Sequence, residues 1–534
     1  MGNDSSAPGA ARQSAGRSAF LVAAGIFLSR IAGLIRDRVF AHFFGISYAA
    51  DAFRAAMRIP NFLQNLFGEG VLSASFIPVY ARLLADGEEE ESGRVAGAVF
   101  SLLALTTAVL VLAGVLASPY LIGAIAPGFQ GETRTLAIKL VRIFFPGVGL
   151  LVLSAWCLGI LNSHRRFFLS YVSPVVWNLA IIVALLLFGG TDQARLAVYA
   201  SWASVVGSAL QFLVQLPVVL RLASKIRLGF GRANQNVRVV LTNFFPVFVG
   251  RGVTQLSAYI DNLLASYLPT GAVAALFNAQ TLYMLPISLF GMSVSAAELP
   301  AMSSTLGTQE QVAEALRGRI AASIRRIGFF VVPSAVAFLA LGDVVAGAIY
   351  QTGKFTRADT TWVWGILAGS AVGLVAATVG RLYSSAYYAL RDTHTPLRYA
   401  VVRVVLTTAL GCLCALPRGA PLVPRLLGLD PRWGVAGLTA SYGVSAWIEF
   451  LLLRRTMNHR IGDIPFPTAY FARLWVSAIA AAGMGWGLKL TLHPHHPLVA
   501  GAVILIPYGV IYLAATAMMG INQIKTFRGR FGRS

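Results

Sequence analysis

The chain has 534 residues, 57% of them hydrophobic and only 12% charged, with a mean hydropathy of +0.70. Soluble proteins carry roughly 25% charged residues, so this balance excludes a water-soluble enzyme and points to a multispan membrane protein. The net charge of +22 does not mark a nucleic-acid binder, because the Lys and Arg residues are spread through short loops between apolar runs, where anionic headgroups meet them.

Residues 1–17, rich in Ser, Ala and Gly, read as a disordered cytoplasmic tail with no cleavable signal peptide after it. Apolar spans are expected near 18–44, 49–83, 95–124, 135–161, 169–189, 195–220, 237–267, 271–304, 312–341, 358–389, 396–416, 432–453, 467–488 and 497–519. That makes an all-α polytopic protein of about 14 transmembrane helices, since the runs are continuous rather than alternating. An even number puts both termini on one side. Loops on that side hold Arg165 and Arg166, Arg221 to Arg238, Arg317 to Arg326, Arg454, Arg455 and Arg460, so it is the cytoplasmic side. The acidic run Glu88–Glu91 reads as a solvated cytoplasmic loop.

Cys157, Cys412 and Cys414 lack metal or redox spacing and read as packing residues. His493, His495 and His496 fall in a Pro-containing outside loop, read as exposed chain rather than a metal site. There is no nucleophile triad, phosphate loop or zinc motif, so neither catalysis, a metal nor an organic cofactor is expected. A faint echo links span two (Ile59-Pro60, Phe67-Gly68, Ile77-Pro78) with span eight (Leu285-Pro286, Phe290-Gly291, Leu299-Pro300), as in transporters built from repeats.

The informative residues are ionisable groups inside spans, where each costs roughly 2.5–3.5 kcal/mol at the bilayer centre. Span one carries Arg30, Arg36, Asp37 and Arg38; span two carries Asp51, Arg54, Arg58 and Glu69. Arg30 and Asp37 lie two turns apart on one helical face, and Asp51, Arg54 and Arg58 form a stripe that Glu69 extends. These residues read either as an ion-pair network holding helices together or as a hydrated cavity with surplus positive charge. Arginine outnumbers carboxylate here, and a guanidinium fork suits phosphate. Arg251, Asp261, Glu298, Arg381 and Arg403 follow later. With the cell interior negative, each uncompensated negative charge moved outward gains about 2.3 kcal/mol per 100 mV. Outward export of an anion agrees with that sign.

The stretch Ser29-Arg30-Ile31-Ala32-Gly33-Leu34-Ile35-Arg36-Asp37, followed by Ala50-Asp51-Ala52-Phe53, Ile59-Pro60-Asn61-Phe62 and Gly68-Glu69-Gly70, resembles the MurJ/MviN family. Ala126-Pro127-Gly128-Phe129, Gln215-Leu216-Pro217, Gly353-Lys354-Phe355-Thr356 and Asp392-Thr393-His394-Thr395-Pro396 extend the resemblance from Ser18 to about residue 520. The resemblance implies a lipid II flippase of the multidrug/oligosaccharidyl-lipid/polysaccharide exporter superfamily. It implies two pseudo-symmetric six-helix lobes (18–222 and 223–456), a C-terminal helix pair (457–520) and a basic cytoplasmic tail (521–534). It carries functional roles onto Arg30, Arg36, Asp37, Asp51 and Glu69. The expected partners are an undecaprenyl-diphosphate-linked precursor, membrane lipids and cell-wall synthesis proteins.

Departures from the family pattern are Gln64 and Asn65 where an Arg pair is common, and Thr281 and Met284 where Arg and Glu are common. Arg251, with Arg54 and Arg58, is expected to restore the charge. Asp261 reads either as a carboxylate coupling transport to sodium or protons, or as a partner for an arginine. Competing readings are a divergent exporter of another polyprenyl-diphosphate glycan, a drug/cation antiporter, and a non-transporting scaffold for cell-wall synthesis. The antiporter would need an acidic cavity, and a scaffold has no reason to keep Arg30, Arg36, Asp51 and Glu69.

Overall fold

The computed structural model describes residues 7–521 apart from 68, 232–233, 305–307, 418–420 and 493–495. Within its helices the side chains of 7–23, 60, 64–65, 67, 69–70, 245–258, 296, 300 and 309 lie outside the description. Among the described residues its elements are helices, α-helical but for one π turn and one 3₁₀ turn, in two compact units, 1–260 and 261–534. Ten helices are long and apolar enough to cross a membrane among the described residues, or eleven if one bent pair is a single span.

Unit 1 runs through α1 (Ala7–Phe44), α2 (Tyr48–Phe67), α3 (Glu69–Ala85), α4 (Glu89–Leu116), α5 (Ser118–Ile125), α6 (Gly131–Ser163), α7 (Phe167–Phe188), α8 (Gln193–Leu222) and most of α9 (Gln235–Ala265). The first helix starts at Ala7, inside the segment whose composition suggests a tail. α2 packs its twenty residues around Asp51, Arg54 and Arg58 and falls outside the apolar set.

α6 is the core of this unit, with 78% of its apolar window buried. Leu140, Val152, Trp156 and Ile160 are enclosed there, and the indole of Trp156 donates to the Ala96 carbonyl at 3.1 Å. Buried polar side chains link α6, α7 and α8: Gln211 and Gln215 both donate to the Ser154 hydroxyl, at 3.0 and 3.1 Å, and Gln215 also donates to Ser173. α4 lies close under the chain leaving α8. A Cβ on Gly97 would sit 2.0 Å from the Arg227 carbonyl oxygen, so only glycine admits that approach.

The acidic run corrects the loop expectation. Glu89, Glu90 and Glu91 form the first turn of α4, where carboxylates meet the positive end of the helix dipole. Glu91 accepts from the Asn234 and Asn236 amides, and Lys225 reaches Glu89 at 3.2 Å.

Unit 2 takes in the end of α9, then α10 (Ala272–Pro286), a π-helical turn (Ile287–Met292), α11 (Ser293–Ser303), α12 (Gln309–Ala340), α13 (Gly342–Tyr350), α14 (Arg357–Ala371) and α15 (Leu374–Ala389). It closes with α16 (His394–Ala415), α17 (Leu422–Leu426), a 3₁₀ turn (Pro431–Trp433), α18 (Gly434–Ile461), α19 (Thr468–Leu492) and α20 (Pro497–Met518). Among the described residues three expected spans are interrupted. The eighth widens into the π turn just after Pro286, which has no amide to continue the regular ladder. The third breaks at Ala117, with a proline in the first turn of α5. The tenth bends by 45° between α14 and α15. There Gly373 meets Gly443 of α18 so closely that a Cβ would stand 2.3 Å from the Gly443 Cα.

Several of the motifs prove to be caps. Thr356 and Asp359 form a capping box at the start of α14, with Phe355 buried beside it. Asp392 accepts from the amides of Thr395 and His394, from the Thr395 hydroxyl, and from Arg460 at 2.9 Å. The Thr395 amide leads in holding its carboxyl below the usual range, with the Thr395 hydroxyl and Arg460 adding to it.

The C-terminal pair is tied to α12 and α13 by its polar tips. Pro333 cannot donate to the Phe329 carbonyl one turn earlier, and the Tyr512 hydroxyl of α20 donates to that oxygen at 2.6 Å. Tyr508 donates to the Pro333 carbonyl at 2.6 Å. Lys489 of α19 pairs with Asp343 and lies 4.8 Å from the Trp486 ring. The basic segment 522–534 and the histidines 493 and 495 lie outside the described residues.

Candidate functional site

The strongest constellation of charge in unit 1 is built where α1 crosses α2. Phe40 of α1 stacks on Phe44, with centroids 4.3 Å apart, and lies 4.9 Å from Phe53 of α2. This aromatic wedge fixes the spacing of the two helices, and the charged residues sit beside it. Arg54, its side chain 2% exposed, reaches the Asp37 carboxylate at 3.1 Å and lies over the Phe40 ring at 4.2 Å. Arg36 reaches the same carboxylate at 3.0 Å and lies 5.1 Å from the Trp177 ring of α7.

Both guanidinium groups use the same oxygen, Oδ1 of Asp37. One carboxylate cannot neutralise two arginines, so this trio is net positive. The aromatic faces offset part of the desolvation through cation–π attraction. Arg36 is the more open of the two at 13% side-chain exposure, and its planar fork is suited to an oxyanion. The arrangement is the ion-pair network of the first reading, and Arg54 and Asp51, both buried in α2, have further interactions beyond it.

The other residues singled out from sequence are distributed as follows. Arg30, on the same helix, is exposed and makes no hydrogen bond or ion pair among the described residues. Asp51 is buried in the first turn of α2, where the helix dipole favours a carboxylate. Arg58 is half-buried, and its carbonyl accepts from the Tyr259 hydroxyl at 2.8 Å, which ties α2 to α9. Asp261 is half-buried and within electrostatic reach of Tyr283 in unit 2. The side chains of Glu69 and Arg251 lie outside the described residues, as do those of Gln64 and Asn65. Thr281 spends its hydroxyl on the Phe277 carbonyl at 2.9 Å, and Met284 is exposed.

Sequence spacing did not find Phe40 or Trp177, the aromatic supports of the two arginines, nor Glu449, Tyr283 and Tyr442, which surround Arg403 in unit 2. An aromatic residue in an apolar span carries no sign in the sequence that a charge lies over it.

A family model described as lipid II flippase MurJ matches residues 40–509. A probable lipid II flippase MurJ of Rhizobium tropici is 32% identical, over 93% of this chain and 91% of the relative. The lipid II flippase MurJ of Burkholderia cenocepacia is 29% identical, over 95% and 98% respectively. A solved structure described as lipid II flippase MurJ in an inward closed conformation matches with a TM-score of 0.76 and 25% identity, covering 95% of this chain and 100% of that one. An inward-facing multidrug resistance MATE transporter of the MOP superfamily matches with a TM-score of 0.61 and 18% identity over 81% of this chain and 95% of its own, a likeness of fold alone. With a multi-pass helical membrane fold, a family model spanning most of its length and a relative above 30% identity, this chain belongs to the MurJ lipid II flippase family, whose members are transporters and not enzymes.

Proposed function

We propose that the chain moves lipid II, the lipid-linked peptidoglycan precursor, from the inner to the outer leaflet of the cytoplasmic membrane by alternating access. Its substrate-binding groups are Arg30, Arg36, Asp37, Asp51, Arg54, Arg58, Glu69 and Arg251, with Asp261 as the ion-coupling carboxylate. The observation that carries the reading is the sharing of Asp37 between Arg36 and Arg54. Arg36, the more open of the two at 13% side-chain exposure, is the member of this network placed to meet a diphosphate, and its planar fork suits that group.

In this reading Asp37 holds the two arginines in place while the site is empty, and the diphosphate competes for Arg36. The exposed Arg30 meets the headgroup first. Both termini are cytoplasmic, the six-helix lobes are 18–222 and 223–456, and the C-terminal pair guides the lipid tail. Export of the anion runs with the membrane potential. The neutral positions Gln64, Asn65, Thr281 and Met284 favour a second reading, in which the glycan on the polyprenyl diphosphate differs from that of lipid II.

Complementation of a strain depleted of its own flippase tests both, with periplasmic exposure of lipid II as the readout. Wild type is expected to restore exposure, and Arg30→Ala, expressed and inserted to the same level, to fail. A membrane-inserted wild type that leaves lipid II unexposed would overturn the lipid II reading and favour another lipid-linked glycan.

A further inference from the structure

Unit 2 holds a second group of ionisable side chains deep in its helices. Arg381 lies about 12 Å from the end of α15, and Arg403 about 14 Å from the start of α16, at 1.5 Å per residue. Both arginines thus lie more than two turns inside helices of the candidate spanning set. The Nε of Arg403 is 3.3 Å from a Glu449 carboxylate oxygen of α18, and Nη1 donates to the Tyr442 hydroxyl at 3.0 Å. The same guanidinium lies 5.3 Å from the Tyr442 ring centre.

Tyr283 of α10 stands edge-on to Tyr442, with centroids 6.4 Å apart. It is 7% exposed, and its hydroxyl has no hydrogen-bond partner among the described residues. Arg381 and Arg403 are both within electrostatic reach of Glu449 and of Tyr283, and Asp261 is the weakest charged neighbour of Tyr283. Asp261 has a further partner of its own.

The charges in this group are unequally matched. Glu449 is committed to Arg403, and Tyr442 supports the same guanidinium from ring and hydroxyl. Arg381 is exposed and makes no hydrogen bond or ion pair among the described residues. An exposed guanidinium at this depth is costly against acyl chains and is at home on a hydrated surface. A buried tyrosine hydroxyl without a partner is a donor waiting for an acceptor.

We propose that Arg381 and the Tyr283 hydroxyl form a second anion subsite, lying within unit 2 and taking a phosphate oxyanion of the transported lipid. Arg403, held by Glu449 and Tyr442, sets the positive potential behind it. α10 supplies the hydroxyl and no cation, since Thr281 and Met284 are neutral, and α15 supplies the charge. This rests on the flippase reading above, and extends it by giving unit 2 its own contact with the diphosphate.

The test is equilibrium binding of a polyprenyl diphosphate and a polyprenyl monophosphate to the full-length protein in nanodiscs, with and without phosphatidylglycerol. Arg381→Gln is expected to weaken the diphosphate lipid about tenfold or more, and Tyr283→Phe a few-fold, a charged hydrogen bond being stronger than a neutral one. Arg381→Lys should recover part of the loss. The monophosphate should respond less to either change.

Wild-type affinity in Arg381→Gln, beside a weakened Arg30→Ala, would overturn the subsite while leaving the flippase reading intact. A wild type that binds neither polyprenyl lipid would sink the flippase reading and the subsite with it. If Arg381→Gln loses only its co-purifying phosphatidylglycerol and keeps the diphosphate lipid, the arginine serves a membrane headgroup and the proposal is overturned.

Discussion

The two charged clusters, one in each unit, solve the same problem differently. In unit 1 a single carboxylate, Asp37, is shared by two arginines, and one of them is almost wholly enclosed. In unit 2 the pairing of Arg403 with Glu449 is one to one, looser at 3.3 Å and more open, with side chains 22% and 14% exposed. A shared carboxylate makes a brittle arrangement, because its loss removes an ion-pair partner from two cations at once. A one-to-one pair with an aromatic and a hydroxyl behind the cation degrades more gently. Burial depth and sharing, rather than the number of charges, decide how much each residue matters.

The sharpest way to break this comparison is Asp37→Asn. It leaves Arg36 and Arg54 facing a neutral amide, and removing one member of a buried pair costs about 3–5 kcal/mol. A large drop in thermal stability in nanodiscs is therefore expected, with loss of complementation. A stable, active Asp37→Asn protein would show that the trio is not held by that carboxylate.

Glu449→Gln should be milder, about 1–3 kcal/mol, since the Tyr442 hydroxyl and ring still support Arg403. A loss equal to that of Asp37→Asn in the same unfolding assay would erase the distinction between the clusters.

Tyr512→Phe sets the scale for a neutral contact in unit 2. It leaves the Phe329 carbonyl, already abandoned by Pro333, without a donor, at about 1–3 kcal/mol. Chemical denaturation of the full-length protein reads it out, and an unchanged stability would mean another donor takes the carbonyl.

The smallest effect is a pH dependence outside the spans. His164, just after α6, has its hydroxyl neighbour Tyr80 at 3.1 Å, and burial first, then Arg166, push its pKa below the ordinary value. A lowered histidine pKa means the unfolded chain binds the extra proton more readily, so stability should fall as pH drops below about 6.5. Comparing unfolding temperatures at pH 7.5 and 5.5 should show a slope that His164→Asn flattens. An identical slope in that variant would assign it to other groups.

Each expected span overlaps helix among the described residues, and ten or eleven of those helices are long and apolar enough to cross a membrane, against the fourteen expected. The interruptions were partly legible. Pro286 advertised a break, whereas the bend between α14 and α15 depends on a close meeting of Gly373 with Gly443, a tertiary event with no local mark. The charges in α1 and α2 stood out because they are improbable in a membrane, but their partners did not. Helical spacing linked Arg30 with Asp37, two turns apart on one face. The structure instead joins Asp37 to its immediate neighbour Arg36 and to Arg54 on the next helix. Adjacent residues do not share a helix face, yet a long guanidinium stem can fold back, which a periodicity argument discards. Glu449 escaped notice because one carboxylate in an apolar run looks isolated until the fold brings Arg403 beside it.

The proline in α12 has a consequence for the order of assembly. During synthesis α12 is made long before α20, and at Pro333 it carries a backbone oxygen that its own helix cannot satisfy. α20 supplies Tyr508 and Tyr512 to that region. Until the ribosome has delivered α20, this part of the bundle is unfinished, whatever the maturity of the rest. α20 therefore completes α12, and a chain lacking α20 would leave that helix open at its kink.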